Sequence, residues 1–379
     1  MMDYGRLLAP NGATPMTDST TLPLRVVDTL QELTSVPAVS PDIHAPRPAL
    51  AASVEAVLER LGSWSADFAE GSAPATVKAV RSDWTQYLTW CEANRATPLP
   101  ASVEQLETFL SAAIDKGRKR ATVDRYLYTV GLVHIAAGLP SPSKDPDWPV
   151  KWKKLIRRLK ATGLNTRKQA GELDMASISA ILASLGDTPR DLRDAALLSI
   201  ASDTLCRESE LVAIRIEHLH HNRRRNTWSL RVPFSKTNQD GAEQDYRFVS
   251  LATMERIRAW QRIANINEGH LFRSTTRRPK ANPDISDVAL HPQEVARIFR
   301  RRAHAAGLEN AWSISGHSAR IGSANDLAEH GATGAQIQLA GGWKTDRMVT
   351  YYTRRSQAGM NAMADLRTTK IRKPSDQSK

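Results

Sequence analysis

Cysteine is almost absent: Cys91 and Cys206 are the only two in 379 residues, and they lie far apart. That excludes a disulfide scaffold and a cysteine-rich zinc site, and it suits a reducing cytoplasm. No apolar run approaches the roughly eighteen residues that suggest a membrane-spanning helix. The N-terminus MMDYGRLLAPNG has no basic region followed by an apolar stretch, so no secretory signal is expected. A glycine-rich phosphate loop ending in Lys-Ser/Thr is also missing, which argues against nucleotide hydrolysis. No carboxylate cluster suggests a two-metal nuclease. Internal repeats and low-complexity tracts are lacking, and no cofactor or metal is expected.

What the chain has is positive charge, unevenly placed. The net is +12. Residues 1–70 hold four Arg and no Lys against nine acidic residues, a net of −5, so the remainder carries +17. A body this basic points to a polyanion partner, nucleic acid first.

Three regions follow from the pattern along the chain. Residues 1–70 read as an acidic, mostly disordered arm, rich in Pro, Ser, Thr and Ala over 1–48, with a short helix expected at 49–61. Residues 71–165 read as all-helical. Val77, Val80, Trp84, Tyr87, Leu88 and Cys91 recur at helical spacing. Ser102 opens a second helix with Gln105 at the capping-box offset, and Gly117 ends it; further helices are expected at 122–137 and 151–160. Basic residues cluster near these helix ends, giving Arg118, Lys119, Arg120, Lys151, Lys153, Lys154, Arg157 and Arg158 as candidate DNA-phosphate contacts. Residues 166–379 read as a second domain. A buried helix is expected at 191–205 and strands at 228–233 and 246–251, with Asp240-Gly241 as a turn signal between them. Helices follow at 253–265, 292–306, 318–330, 334–340 and 345–352. The fold class is therefore mainly α with a small antiparallel β-sheet.

Five features of the second domain carry chemistry together, although each is weak alone. Arg207, in TLCRESEL, has Glu210 three residues on, close enough to orient its guanidinium. Lys236 lies between the two expected strands. His317 and Arg320 stand one turn apart at a helix start, where the helix N-terminus favours an anion. Trp343 follows two glycines that permit a tight turn, and its indole N–H is a donor. Tyr351-Tyr352 ends a short helix. Breaking a phosphodiester without a metal needs a nucleophile, cations for the transition-state charge and an acid for the leaving oxygen. Two arginines, a histidine, an indole, a lysine and a tyrosine supply those parts.

The order Arg, Lys, His-x-x-Arg, Trp, Tyr resembles the tyrosine recombinase (phage integrase) family, and within it the Cre-type site-specific recombinases. TLCRESELVAIRI, SKT, WSISGHSARIGSANDLAEHGATGAQIQLAGGW and the following Tyr352 carry the likeness, joined by YLTWCEANRATPLPASVEQLETFL and GLPSPS in the first domain. It runs from about residue 76 to 368 and leaves the N-terminal arm unexplained. The resemblance implies a helical core-binding domain and a mixed α/β catalytic domain forming a C-shaped DNA clamp. It implies cleavage and rejoining of duplex DNA through a 3′-phosphotyrosine and a four-way junction. In it, Arg207, Arg320, His317 and Trp343 would hold the phosphate, Lys236 would protonate the leaving oxygen, and Glu210 would support them. Tyr352, nine residues after the Trp of the GGW motif, would be the nucleophile. The expected partners are duplex DNA with an inverted-repeat site and three further copies of the chain. The protein would be a monomer or weak oligomer when free, in a prokaryotic, nucleoid-associated setting. After Tyr352, residues 353–357 read as an extended tether. Met360, Met363 and Leu366 read as the apolar stripe of a helix exchanged between protomers. The alternatives within reach of the same residues are a telomere resolvase, a type I topoisomerase-like enzyme, or a DNA-binding relative without catalysis.

Overall fold

A computed structural model describes residues 54–166, 169–232, 245–275, 285–359, 361, 363–364 and 366–367. Lys236, the Asp240-Gly241 turn and Met360 lie outside them. The chain divides into two compact units, Met1–Arg167 and Lys168–Lys379.

The described part of the first unit is a set of α-helices: α1 (Val54–Gly71), α2 (Pro74–Asn94), α3 (Val103–Asp115), α4 (Arg120–Ala136) and α5 (Trp148–Ala161). The short helix expected at 49–61 is present from Val54 and runs on through residues 62–70, which were expected to belong to the mostly disordered arm. α1 places Val57 and Leu61 in the same core as Trp84, Tyr87, Cys91, Leu106, Phe109, Leu110, Val123, Tyr126, Val130, Leu155 and Leu159. The extension beyond Leu61 was hidden because the helix has no buried position there: its only two, Val57 and Leu61, lie one turn apart within the expected span. Ser102 caps α3 by accepting from the Gln105 N–H at 3.2 Å. The expected reciprocal half of the box does not form. The Gln105 side chain instead donates to the Tyr87 hydroxyl and the Thr97 carbonyl, both at 2.8 Å. Buried Asp83 is held by Arg125 through two bonds of 2.6 Å.

The second unit opens with α6 (Met175–Ala183), α7 (Pro189–Thr204) and the short α8 (Glu208–Val212). A three-stranded antiparallel sheet follows, in the order β1 (Leu219–Asn222), β2 (Thr227–Arg231), β3 (Tyr246–Val249). Then come α9 (Leu251–Ala264), a two-stranded pair β4 (Arg273–Thr275) and β5 (Ile285–Ala289), and α10 (Pro292–Ala305). The unit closes with α11 (Ser318–Glu329), α12 (Gly334–Gly341) and α13 (Asp346–Gly359). Its main core surrounds α7, whose 196–198 and 200–201 stretch is fully buried against β2, β3, α9 and α10. A smaller cluster of Leu205, Ala324, Ala328, Ile337, Trp343 and Val349, with Tyr352 packed against it, joins the end of α7 to α11, α12 and α13. That cluster forms the floor of the site described next. Among the described residues, no helix is long and apolar enough to cross a membrane.

Candidate active site

The site is assembled from helix ends. α7 stops at Leu205, a non-glycine residue in the left-handed region at φ +51°. That reversal throws Cys206 inward and Arg207 onto the start of α8. Arg207 takes the extended N-cap conformation there, so it and Glu210 meet as cap and third residue rather than along a helical face. The Glu210 carboxylate, 2% exposed, accepts from the Arg207 backbone N–H at 2.7 Å and from its Nη1 at 2.6 Å. One carboxylate thus fixes both the backbone and the guanidinium of Arg207. Burial pushes the Cys206 thiol up to about 11, so it stays an inert thiol.

Arg320, on the first turn of α11, is 1% exposed. Its Nη1 donates to the Leu205 carbonyl and its Nη2 to the Gly341 carbonyl, the latter at 2.9 Å. Its Nε has no partner among the described residues. Burial lowers its pKa to about 10, and the like charge of Arg207 adds to the drop. Two guanidinium groups therefore stand close enough to repel, with Glu210 among the groups that offset them. The guanidinium of Arg320 lies over the Trp343 ring, 4.4 Å from its centroid, and 5.9 Å from that of Tyr352. Trp343 and Tyr352 stack at 5.2 Å and 25°. The Trp343 indole N–H is buried and has no partner among the described residues.

His317 occupies the N-cap position of α11 without a side-chain capping bond and is exposed. Partial desolvation still lowers its pKa. Arg320 and Arg207 push it the same way, while Glu208 and Glu210 pull it up. The two glycines before Trp343 have distinct reasons. A Cβ on Gly341 would run into the Trp343 ring, and one on Gly342 into the Arg247 guanidinium; Gly342 also sits at φ +54°. Arg354 lies 5.2 Å from the Tyr351 ring centroid, and that ring meets Tyr352 edge-on.

Of the expected residues, Arg207, Glu210, His317, Arg320, Trp343 and Tyr352 converge here; Lys236 lies outside the described residues. Two were missed. Arg247 sits buried beneath Gly342, and its only signal was a charged residue at an inward position of a strand. Glu208 packs its carboxylate against Gly316 and acts on His317. In the first unit, Lys151 and Lys154 bind Glu107 at 2.9 Å each, Arg158 pairs with Asp115, and Arg120 pairs with Asp124 at 2.7 Å. Lys151, Lys154 and Arg158 hold α3 to α5, and Arg120 pairs within α4. Arg118, Lys119, Lys153 and Arg157 are exposed and form no ion pair among the described residues.

Residues 172–358, which hold every member of this cluster, match the phage integrase family. That segment is a phage integrase family domain. The recombinase Cre of Escherichia phage P1 is 25% identical over 305 residues, covering 77% of this chain and 87% of Cre. An integrase/recombinase XerD homologue of Selenomonas ruminantium is 29% identical, covering 75% of this chain and 82% of that protein. The family fold is shared with a solved XerH site-specific recombinase bound to palindromic difH substrate, at a TM-score of 0.57 and 15% identity. That match covers 93% of this chain and 98% of XerH.

Proposed function

We propose that this chain, which carries a phage integrase family domain, is a site-specific recombinase that cleaves and rejoins duplex DNA by transesterification, with Tyr352 as nucleophile. The observation that carries the reading is the Arg207–Arg320 pair beside a stacked tyrosine. Two crowded guanidinium groups, one buried with its Nε unpartnered, suit the two nonbridging oxygens of a phosphodiester and gain most as charge develops there. The Tyr352 oxygen attacks phosphorus, giving a 3′-phosphotyrosine and a free 5′-hydroxyl. His317, neutral near pH 7 because its pKa is lowered, offers one N–H donor and one lone pair able to take the tyrosine proton. The Trp343 indole donates to the phosphate, Glu210 orients Arg207, and Lys236 protonates the leaving oxygen. Because the phosphotyrosine keeps the bond energy, rejoining is the same step reversed and needs no nucleotide.

The DNA partner is supported by the net charge of +12 and by the kinship to Cre and XerD. We further infer an inverted-repeat site, a tetramer on synapsed DNA and exchange through a four-way junction. Of the eight candidate cations in the first unit, Arg118, Lys119, Lys153 and Arg157 are the ones left to grip phosphates. Incubation with nicked suicide duplexes in excess EDTA tests the reading. A covalent protein–DNA band followed by recombinant product is expected. A band without recombinant product favours a topoisomerase-like or resolvase activity, and no band favours a DNA-binding relative without catalysis.

A further inference from the structure

Arg247 does not belong to the phosphate-contacting set, yet it grips the same two turns that Arg320 grips. Its Nη1 donates to the Thr204 carbonyl at 3.1 Å and to the Ala340 carbonyl at 3.0 Å. Arg320 takes the next carbonyl of each turn, Leu205 and Gly341. Two guanidiniums from different elements, β3 and α11, thus bind four carbonyls in two adjacent pairs. Those carbonyls belong to the C-terminal ends of α7 and α12, where unpaired C=O groups and the negative end of the helix dipole favour a cation. Two residues beyond the first pair stands Arg207; two residues beyond the second stands Trp343. The spacing between these turns therefore sets the distance from the Arg207 guanidinium to the Trp343–Tyr352 stack.

The two arginines differ in what they have left to give. Arg247 has its side chain 2% exposed and commits its Nε to Asp245 Oδ1 at 2.7 Å and its Nη2 to Asp245 Oδ2. With the two carbonyls, four of the five N–H donors of a guanidinium are engaged. Arg320 engages only two among the described residues. Gly342 is a glycine partly because Arg247 stands where its Cβ would be. We propose that Arg247, held by Asp245, is a positioning residue. It locks the two turns so that Arg207 and Arg320 converge on one phosphate, and it never touches DNA. This rests on the reading of the site as a phosphoryl-transfer centre.

The test compares two nicked substrates, one with the natural scissile phosphodiester and one with a neutral methylphosphonate there. The methylphosphonate lacks one nonbridging charge and so depends less on two converging cations. Wild-type protein must form the covalent complex; if it does not, the functional reading itself fails. Given wild-type cleavage, Arg247→Gln should slow phosphodiester cleavage on the order of 100-fold, the scale of a lost oxyanion donor. It should slow methylphosphonate cleavage less than about tenfold, since only the charge-dependent part is lost. DNA affinity should stay within about threefold, because many other cations hold the backbone. Asp245→Asn combined with Arg247→Gln leaves no buried unpaired charge and guards against simple misfolding; it should give the same asymmetry between substrates. Equal slowing on both substrates would reduce Arg247 to a scaffold residue, and no slowing on either would remove it from the account.

Discussion

A cation 1% exposed, such as Arg320, stays charged at pH 7 because even its lowered pKa of about 10 lies well above neutrality. Carbonyls and two aromatic faces surround it, and a compact ammonium would satisfy them poorly, being a point charge without a planar fork. Arg320→Lys and Arg207→Lys should each lower cleavage on the order of 100-fold while leaving DNA affinity nearly unchanged. Gel-shift and single-turnover cleavage measured side by side check this; parallel losses in both would contradict a transition-state role. His317 offers a second residue-level test. Its pKa is lowered from an ordinary value of about 6.5, and the carboxylate of Glu208 opposes the shift. Glu208→Gln removes that upward pull, so the His317 midpoint should fall further. Titration of its ring C–H by NMR reads this directly, and a midpoint unmoved or raised would separate Glu208 from His317.

At the scale of elements, His134 makes α4 pH-sensitive. The ring is fully buried; its Nε2 accepts from the Ala101 N–H at 2.9 Å and its Nδ1 donates to the Val130 carbonyl at 2.7 Å. Burial lowers its pKa, so the unfolded chain binds the proton more readily. Its contribution to stability is present above the unfolded value of about 6.5 and is lost as pH falls below it. Calorimetric melting of the full chain should show the first unit losing stability between neutral and mildly acid pH. His134→Gln should flatten that dependence.

Most helices were legible because their buried residues recur at helical spacing, as in α2, and glycine stops such as Gly117 are local signals. β1 was not, because LeuHisHisAsn has no β-branched residue and only His220 and His221 between its ends. β4, at three residues, was too short to show a period, and β5 leaves Asp287 and Val288 exposed side by side, so its burial does not alternate. The largest correction is at α13. Residues 353–357, expected as a tether, continue the helix to Gly359. Buried Thr353 bonds back to the Val349 carbonyl at 2.9 Å, and Ser356 reaches Asn325 at 3.0 Å and Glu329 at 3.1 Å on α11. A polar sequence looked like a linker because its partners lie some thirty residues away. The site was legible as a set of residue types in order. The role of Arg247 was not, since hydrogen bonds to carbonyls at 204 and 340 leave no trace in a local pattern.

For the whole molecule, that correction moves the proposed exchange segment. Truncation after Arg355 would remove part of the helix that holds Tyr352, whereas truncation after Gly359 spares it. Met363 and Leu366 are 60% and 52% exposed, apolar positions with little cover on their own unit. Truncation after Gly359, or Met363→Glu, should preserve single-site binding and suicide-substrate cleavage but weaken cooperative occupancy of paired sites. Sedimentation on DNA with one and two sites decides this, and unchanged cooperativity would place the assembly contacts elsewhere. We propose that phosphoryl transfer runs through Tyr352, the tyrosine stacked on Trp343 under Arg320, and not through its neighbour. Mass spectrometry of the nuclease-trimmed covalent complex tests it most directly, supported by Tyr352→Phe and Tyr351→Phe. A nucleotide adduct on Tyr352, lost in Tyr352→Phe and retained in Tyr351→Phe, is the expected result; an adduct on Tyr351 or on any other residue would contradict it.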